Sequence, residues 1–481
     1  MAFALWSLAL AVFSTLVYHR CFLGEDFATY NQAWTLIGQG HLDPFDTVYG
    51  FPFIKADFEL LVWPLALVHL VVPQSIALLW IQDLAVAGSG LVAYLWALEF
   101  LEQRKIDRRI ATALAVVLVV ATVLNPGVYM AVGFDIHMEP ISTFLLLLAA
   151  REFWRGRPRR GWIWVALVLL CGSFAAIMVV GLGLSALLAR PDTRRSGLLL
   201  VAAGVGWTML ISLLHANQGS GLSLYAYLAG RSTLAGAGGV ALIATGMLTH
   251  PWRAADHLIH RLPAMWVLIR PVGIVGLASA WGFGVPAVVL VTDGLNSRDD
   301  FLNNAFQNFA VFPFVLVGSV MTLVWLAQRF SRGWIATAAV ATLVTVEAVA
   351  YGVQSTSANI MSTVDRVPAG AAAQLRSALD QTPADAEVLA PVGIMGRFCA
   401  RPYCYFNYPG GTRPVRSRNV VFVFYSAGDA ITTPAGTAAG ISYVRDRLHA
   451  RTLVDTNGVV AFEWHPPVGV TEVTVPGSNT P

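Results

Sequence analysis

Arg151-Glu-Phe-Trp-Arg-Gly-Arg-Pro-Arg-Arg160 precedes an apolar segment, residues 162–189, which is closed by Arg190-Pro-Asp-Thr-Arg-Arg195. Cytoplasmic loops of membrane proteins collect Lys and Arg, so both basic flanks belong on one side of a bilayer. The apolar segment between them must enter the membrane and return. It is read as two short helices meeting near Cys171-Gly172-Ser173. That reading decides the fold class, an all-α polytopic membrane protein.

Two more basic loops complete the frame: Arg104-Lys105 with Arg108-Arg109, and Arg329 to Arg332. A crossing helix needs roughly 20 mostly apolar residues. Spans fall near 2–19, 75–99, 110–130, 139–150, 197–215, 262–280, 281–295, 308–327 and 334–352. With the re-entering pair they predict about eleven transmembrane helices in a cytoplasmic membrane, the N-terminus inside and the C-terminus outside. Composition agrees: of 481 residues 56% are hydrophobic and 12% charged, whereas soluble domains carry about 25% charged residues. That excludes a soluble enzyme, a disordered chain and a disulfide-dense secreted module. A net charge of +3 is too small to argue for nucleic acid.

Residues 58–72 are apolar but short and bracketed by Pro64 and Pro73, and are read as a helix lying on the outer membrane surface. The first span lacks a basic n-region, which favours an uncleaved anchor over a signal peptide. The segment 216–260, amphipathic from Pro251, reads as a helix in the interface plane. A membrane domain of residues 1–354, with a first outer loop over 20–74, is followed by a small extracytoplasmic α/β domain over 355–481. Within that domain Pro368 to Leu379 has helical character, and Val388 to Val392 and Val420 to Tyr425 have strand composition. Thr456-Asn457-Gly458 turns a hairpin. Cys399 and Cys404 favour a disulfide over a metal pair in an oxidising compartment. Cys21 and Cys171 read as packing residues.

Ionisable residues at membrane boundaries are functional hypotheses by default. Three groups stand out on the outer side: Glu25-Asp26 with Asn31-Gln32; Lys55-Ala56-Asp57-Phe58-Glu59; and Asp135-Ile136-His137-Met138-Glu139. Alternating Asp135, His137 and Glu139 would share one side of an extended segment. Such groups either act as a general base or hold a divalent cation beside a diphosphate, so the cofactor stays open. Their bland reading is as solvated loop residues and helix caps. Asp83 and Asp293, inside spans, read as structural polar contacts.

The order of Asp26-Phe-x-x-Tyr-x-Gln-Ala-Trp34, Gly38-x-Gly40, Asp57-Phe58 and Phe134-Asp-x-His-x-Glu139 resembles the bacterial membrane proteins grouped as domain of unknown function 2079. The resemblance covers roughly residues 1–330 and implies a GT-C-like architecture, that of glycosyltransferases using polyprenyl-phosphate sugars. It implies Asp26 as catalytic base with Glu25 adjacent. It makes Asp57 an acceptor or metal contact, and Asp135, His137 and Glu139 the acidic-His stretch. Lys55, Arg231, Arg253 and Arg298 are the cations available to a leaving phosphate, and Gln32 completes the substrate-contacting set. The chain departs from the family at Gly172-Ser173-Phe174, where a charged turn is usual, at Asn31, and at Asn303-Asn304 and Gln307-Asn308. The implied activity is sugar transfer from a polyprenyl-phosphate donor. A transporter or flippase of lipid-linked saccharides, or a non-catalytic scaffold, is the competing class.

Overall fold

The computed structural model describes the chain except residues 1, 57, 134, 215–220, 235, 299–301, 303–305, 331–332, 407–411, 429–432 and 477–481. Helix α1 (Ala2–His19) buries Trp6, Leu10, Phe13 and Val17 and leaves Leu5, Leu8, Val12 and Leu16 exposed on its other face. That two-sided apolar pattern suits a helix between a protein core and lipid. After it come α2 (Glu25–Gly38) and a two-stranded hairpin, β1 (Phe45–Asp46) with β2 (Phe51–Pro52). Residues 58–72 do not form one surface helix: Phe58 takes φ +57°, and the chain then makes only α3 (Val62–Ala66) and a 3-10 turn, Leu67–Leu70. Pro64 sits in the first turn of α3 and has no N–H with which to carry that helix back toward Phe58.

Next come α4 (Ile76–Gln103), α5 (Arg108–Val123) and α6 (Pro126–Gly133). The stretch 108–133, where a span is expected near 110–130, is apolar enough to cross but runs as two helices, turning where Asn125 Oδ1 accepts from the Gly127 amide at 2.8 Å. Then follow α7 (Met138–Trp154), α8 (Pro158–Leu169) and α9 (Ser173–Ala189). Gly172, at φ +107°, reverses the chain between α8 and α9, a conformation closed to residues with a Cβ. The bundle continues with α10 (Arg194–Leu213), α11 (Gly236–Thr249), α12 (Pro251–Ile269), α13 (Ala280–Gly294), α14 (Val311–Arg329) and α15 (Gly333–Asp365).

Among the described residues five helical stretches are long and apolar enough to cross a membrane: 76–103, 108–133, 191–213, 311–329 and 333–354. Shorter apolar helices cover 3–19, 173–189, 238–249 and 280–294. One end of the bundle is basic. Arg151 and Arg155, at the end of α7, both bond Glu99 near the end of α4. Arg190, at the end of α9, donates to the Trp154 carbonyl at 2.7 Å. The starts of α2 and α7 lie at the opposite end.

Beyond α15 lie α16 (Ala369–Gln381), capped at Pro368, and a five-stranded sheet of order β4-β3-β6-β8-β7. It is built from β3 (Glu387–Ala390), β4 (Cys404–Phe406), β6 (Val420–Tyr425), β7 (Arg451–Thr456) and β8 (Val459–Trp464). β3 runs parallel to β4 and β6, and β8 antiparallel to β6 and β7. Asn457 and Gly458, both at positive φ, turn the β7–β8 hairpin. A small pair, β5 (Thr412–Pro414) with β9 (Glu472–Thr474), and α17 (Pro434–Asp446) complete this part. Cys399 and Cys404 are joined as a disulfide, and Cys21 and Cys171 are buried thiols.

Candidate active site

The start of α2 is held by a residue far away in the chain. Gly24, its N-cap, has no side chain to satisfy the first amides of the helix. Asp135 supplies the missing acceptor: its carboxylate takes the Gly24 amide at 2.8 and 3.0 Å and the Phe27 amide at 3.3 Å. This is an N-cap donated from another segment, with a negative charge at the positive end of the helix dipole. Asp135 reaches it because its own backbone is left-handed, φ +44°. Gln82 of α4 braces the same turn, donating to the Ala131 and Asp135 carbonyls and accepting from the His137 amide at 2.7 Å.

That turn separates the three alternating polar residues. Asp135 turns back to α2. His137 is the extended N-cap of α7, and its Nε2 lies 4.0 Å from Asp26 Oδ2. Its ring stacks on Phe306, with centroids 3.5 Å apart and planes 4° from parallel. Glu139 enters the first turn of α7 and faces a cavity. The expectation that the three share one side is therefore corrected: the positive φ at Asp135 and the start of α7 at Met138 end the extended run.

The Asp26 side chain is 34% exposed and that of His137 only 7%, so the carboxylate is open to an incoming group while the imidazole is fixed behind it. Burial raises the Glu25 carboxyl above its ordinary range, against the opposing pull of Arg298. Burial also pushes Asp135 up to about 6, against the amide bonds of Gly24 and Phe27. A carboxylate beside a braced imidazole can take a proton from a hydroxyl and hold it.

Adjoining this pair is a cavity of 280 Å³ between α7, α9, α10 and α13, with Glu59, Glu139 and Asp293 in its lining. Ser173 and Phe174, from the start of α9, line it too, as do Tyr225, Asn296 and Gln307. Asp293 Oδ2 is buried without a hydrogen-bond partner. His137 faces Asp26 and stacks on Phe306, while Glu139 and Gln307, close by in the chain, face the cavity. Among the described residues no lysine or arginine lines it.

The structure thus brings together Asp26, His137 and, through its cap, Asp135, with Glu25 in the same turn. Glu139 belongs to the neighbouring cavity. Gln32 goes elsewhere. It is buried, and its amide donates to Thr47 Oγ1 and to the Arg401 and Pro402 carbonyls, so it ties α2 to the C-terminal sheet rather than to a substrate. Arg231 is an exposed residue after the 3-10 turns of Gly221–Ala229. Lys55 ends a 3-10 turn, Phe53–Lys55. Asp57 and Asn303-Asn304 lie outside the described residues. Asp83 accepts from Ser14 of α1 at 2.9 Å, a structural contact. Among the described residues no group of three His, Cys, Asp or Glu could hold a metal ion. Gln82, which with Asp83 reads from the sequence as a polar contact inside an apolar helix, is that contact, while Phe306 left no signal in the sequence.

The fold is that of a polytopic α-helical membrane protein followed by a small α/β part. The solved structure of ArnT from Cupriavidus metallidurans bound to undecaprenyl phosphate matches with a TM-score of 0.51 and 12% identity, over 96% of this chain and 97% of that one. ArnT from the same organism in the apo state matches with a TM-score of 0.47 and 13% identity, over 96% and 98%. The chain belongs to the DUF2079 family of predicted membrane proteins, whose model matches residues 24–423. No curated protein matches it.

Proposed function

We propose that the protein is a GT-C-like glycosyltransferase, moving a sugar from a polyprenyl-phosphate donor to a hydroxyl acceptor at the outer face of the cytoplasmic membrane. The observation that carries this reading is the partly exposed Asp26 carboxylate beside the braced His137, at the end of the bundle opposite the basic helix termini. A lipid-linked donor is supported by the fold likeness to a protein solved with undecaprenyl phosphate. Asp26 accepts the proton of the acceptor hydroxyl as its oxygen bonds to the anomeric carbon. The bond from that carbon to the phosphate oxygen breaks, and the electron pair leaves with the polyprenyl phosphate, inverting the centre. Arg298, whose charge acts on Glu25, offsets the charge of the leaving phosphate. On this reading residues 1–354 form the catalytic membrane domain, and 355–481 form an extracytoplasmic domain that helps shape its rim.

The test is sugar release from a polyprenyl-phosphate donor by purified protein. Asp26→Asn should lose at least a hundredfold in rate, within the range for a general base, while still binding donor. If the wild type binds donor and transfers nothing to any acceptor tried, the enzyme reading is lost and a carrier of the same lipid takes its place.

A further inference from the structure

The outer end of α1 gathers arginines from distant stretches of chain. Arg20 Nη1 donates to the Val367 carbonyl at 3.3 Å, and Arg376 Nη1, from α16, donates to the His19 carbonyl at 3.3 Å. Arg397, from the 3-10 turn Met395–Cys399, lies 4.3 Å above the Tyr18 ring and donates to Cys21 Sγ at 3.5 Å. Arg366 lies 4.6 Å above the Phe22 ring. Three guanidinium groups thus meet residues 18–22, and Arg20 of that segment is the fourth.

Among the described residues none of the four is ion-paired with a carboxylate. Asp380, one turn after Arg376 on α16, forms no ion pair with it either. The Nε of Arg397 is buried without a hydrogen-bond partner. A guanidinium carries five N–H donors, and the bonds named above use few of them. Like charges gathered this way repel unless an anion sits among them.

The stripe of Leu5, Leu8, Val12 and Leu16 runs along α1 up to this cluster. Residues three and four apart share a helix face, so a lipid chain lying on that face brings its headgroup to the arginines. We propose that the cluster binds the phosphate headgroup of a membrane lipid whose tail lies along α1. Planar guanidinium groups suit phosphate oxygens, and basic sites beside membrane helices take anionic headgroups. Arg366, Arg376 and Arg397 all lie beyond α15, so the bound lipid also anchors the C-terminal sheet to the bilayer.

The full chain in detergent would be mixed separately with phosphatidylglycerol, polyprenyl phosphate, phosphatidylcholine and inorganic phosphate. Retention would be read by native mass spectrometry and unfolding temperature by a thermal scan. The two anionic lipids should be retained and raise the unfolding temperature; phosphatidylcholine and inorganic phosphate should not. Stronger retention of polyprenyl phosphate would assign the site to a lipid carrier, and equal or stronger retention of phosphatidylglycerol to bulk phospholipid. Arg20→Gln with Arg376→Gln should weaken anionic-lipid retention roughly thirtyfold, about fivefold per charge, and Arg445→Gln, on distant α17, should not. Should the double variant fail to fold, Arg366→Gln alone should lose about fivefold. Equal retention of phosphatidylcholine and phosphatidylglycerol, binding of inorganic phosphate without lipid, or full retention by the variants would each overturn the proposal. None of these readouts depends on sugar transfer.

Discussion

Asp135 is where sequence and structure diverge most at the scale of one residue. Its motif marks it as a contact for substrate, yet its carboxylate is taken up by the amides of Gly24 and Phe27. Nothing in the sequence signals the positive φ that sends the side chain back to α2, so the stretch was legible as important but its division of labour was not. Asp135→Ala should therefore act on stability first. Loss of a helix cap costs about 1 kcal/mol, so its unfolding temperature should fall, whereas Asp135→Asn, which keeps an acceptor, should fall less. Equal losses would remove the capping account. A pH effect follows from the buried acids. Asp46 and Asp135 are each pushed up to about 6 by burial, so the folded state holds their protons more tightly than the unfolded one. Their contribution is fully present below about pH 4, is lost as pH rises through about 6, and is on the order of 3 kcal/mol for each. Asp46→Asn removes one of the two, so its unfolding temperature should decline less than that of the wild type between pH 4.5 and pH 7. Parallel slopes would contradict this.

At the scale of elements, the break at Gly172 was legible because two basic flanks force the chain to return, and a return needs a turn. The extension of α15 to Asp365 was not. Residues 353–365 are too polar to read as span, but Ile360 and Val364 pack against the bundle core and carry the helix onward. The tight approach of α9 to α13 was equally hidden. A methyl on Gly284 would fall on the Gly181 carbonyl oxygen, and one on Gly181 would come within 2.7 Å of the Val285 Cα. Both obstacles are backbone, which cannot move aside without separating the helices. Gly284→Ala should thus cost roughly 1–3 kcal/mol, read as a lower unfolding temperature. It should also alter the neighbouring cavity, whose lining includes residues of both helices. An unchanged unfolding temperature would mean the two helices are less tightly apposed than the structure has them.

For the whole molecule, the sequence describes a membrane bundle followed by an α/β tail, and says nothing of how the two meet. Such contacts join residues hundreds of positions apart and leave no local pattern. They meet through α2. Asn31 donates to the Gly396 carbonyl at 2.8 Å, the Gly396 amide donates to the Leu23 carbonyl at 2.9 Å, and Gln32 bonds the Arg401 and Pro402 carbonyls. Thr47 completes the joint, donating its hydroxyl to the Cys404 carbonyl at 2.7 Å and its amide to Gln32 Oε1 at 2.9 Å. The helix that carries Asp26 at its start is thereby clamped along its middle by the C-terminal sheet. Gln32→Ala would leave a buried amide and carbonyls without partners, at about 1–3 kcal/mol for each group. Hydrogen exchange should accordingly rise in β4 and in Met395–Cys399 while α4 and α14 keep their protection. Because α2 then loses its support from the C-terminal sheet, the sugar transfer proposed above should also drop, although Gln32 itself faces that sheet. Exchange that rose equally in α4 and α14 would show that the clamp is not a separate joint, and exchange unchanged in β4 would show that Gln32 does not hold it.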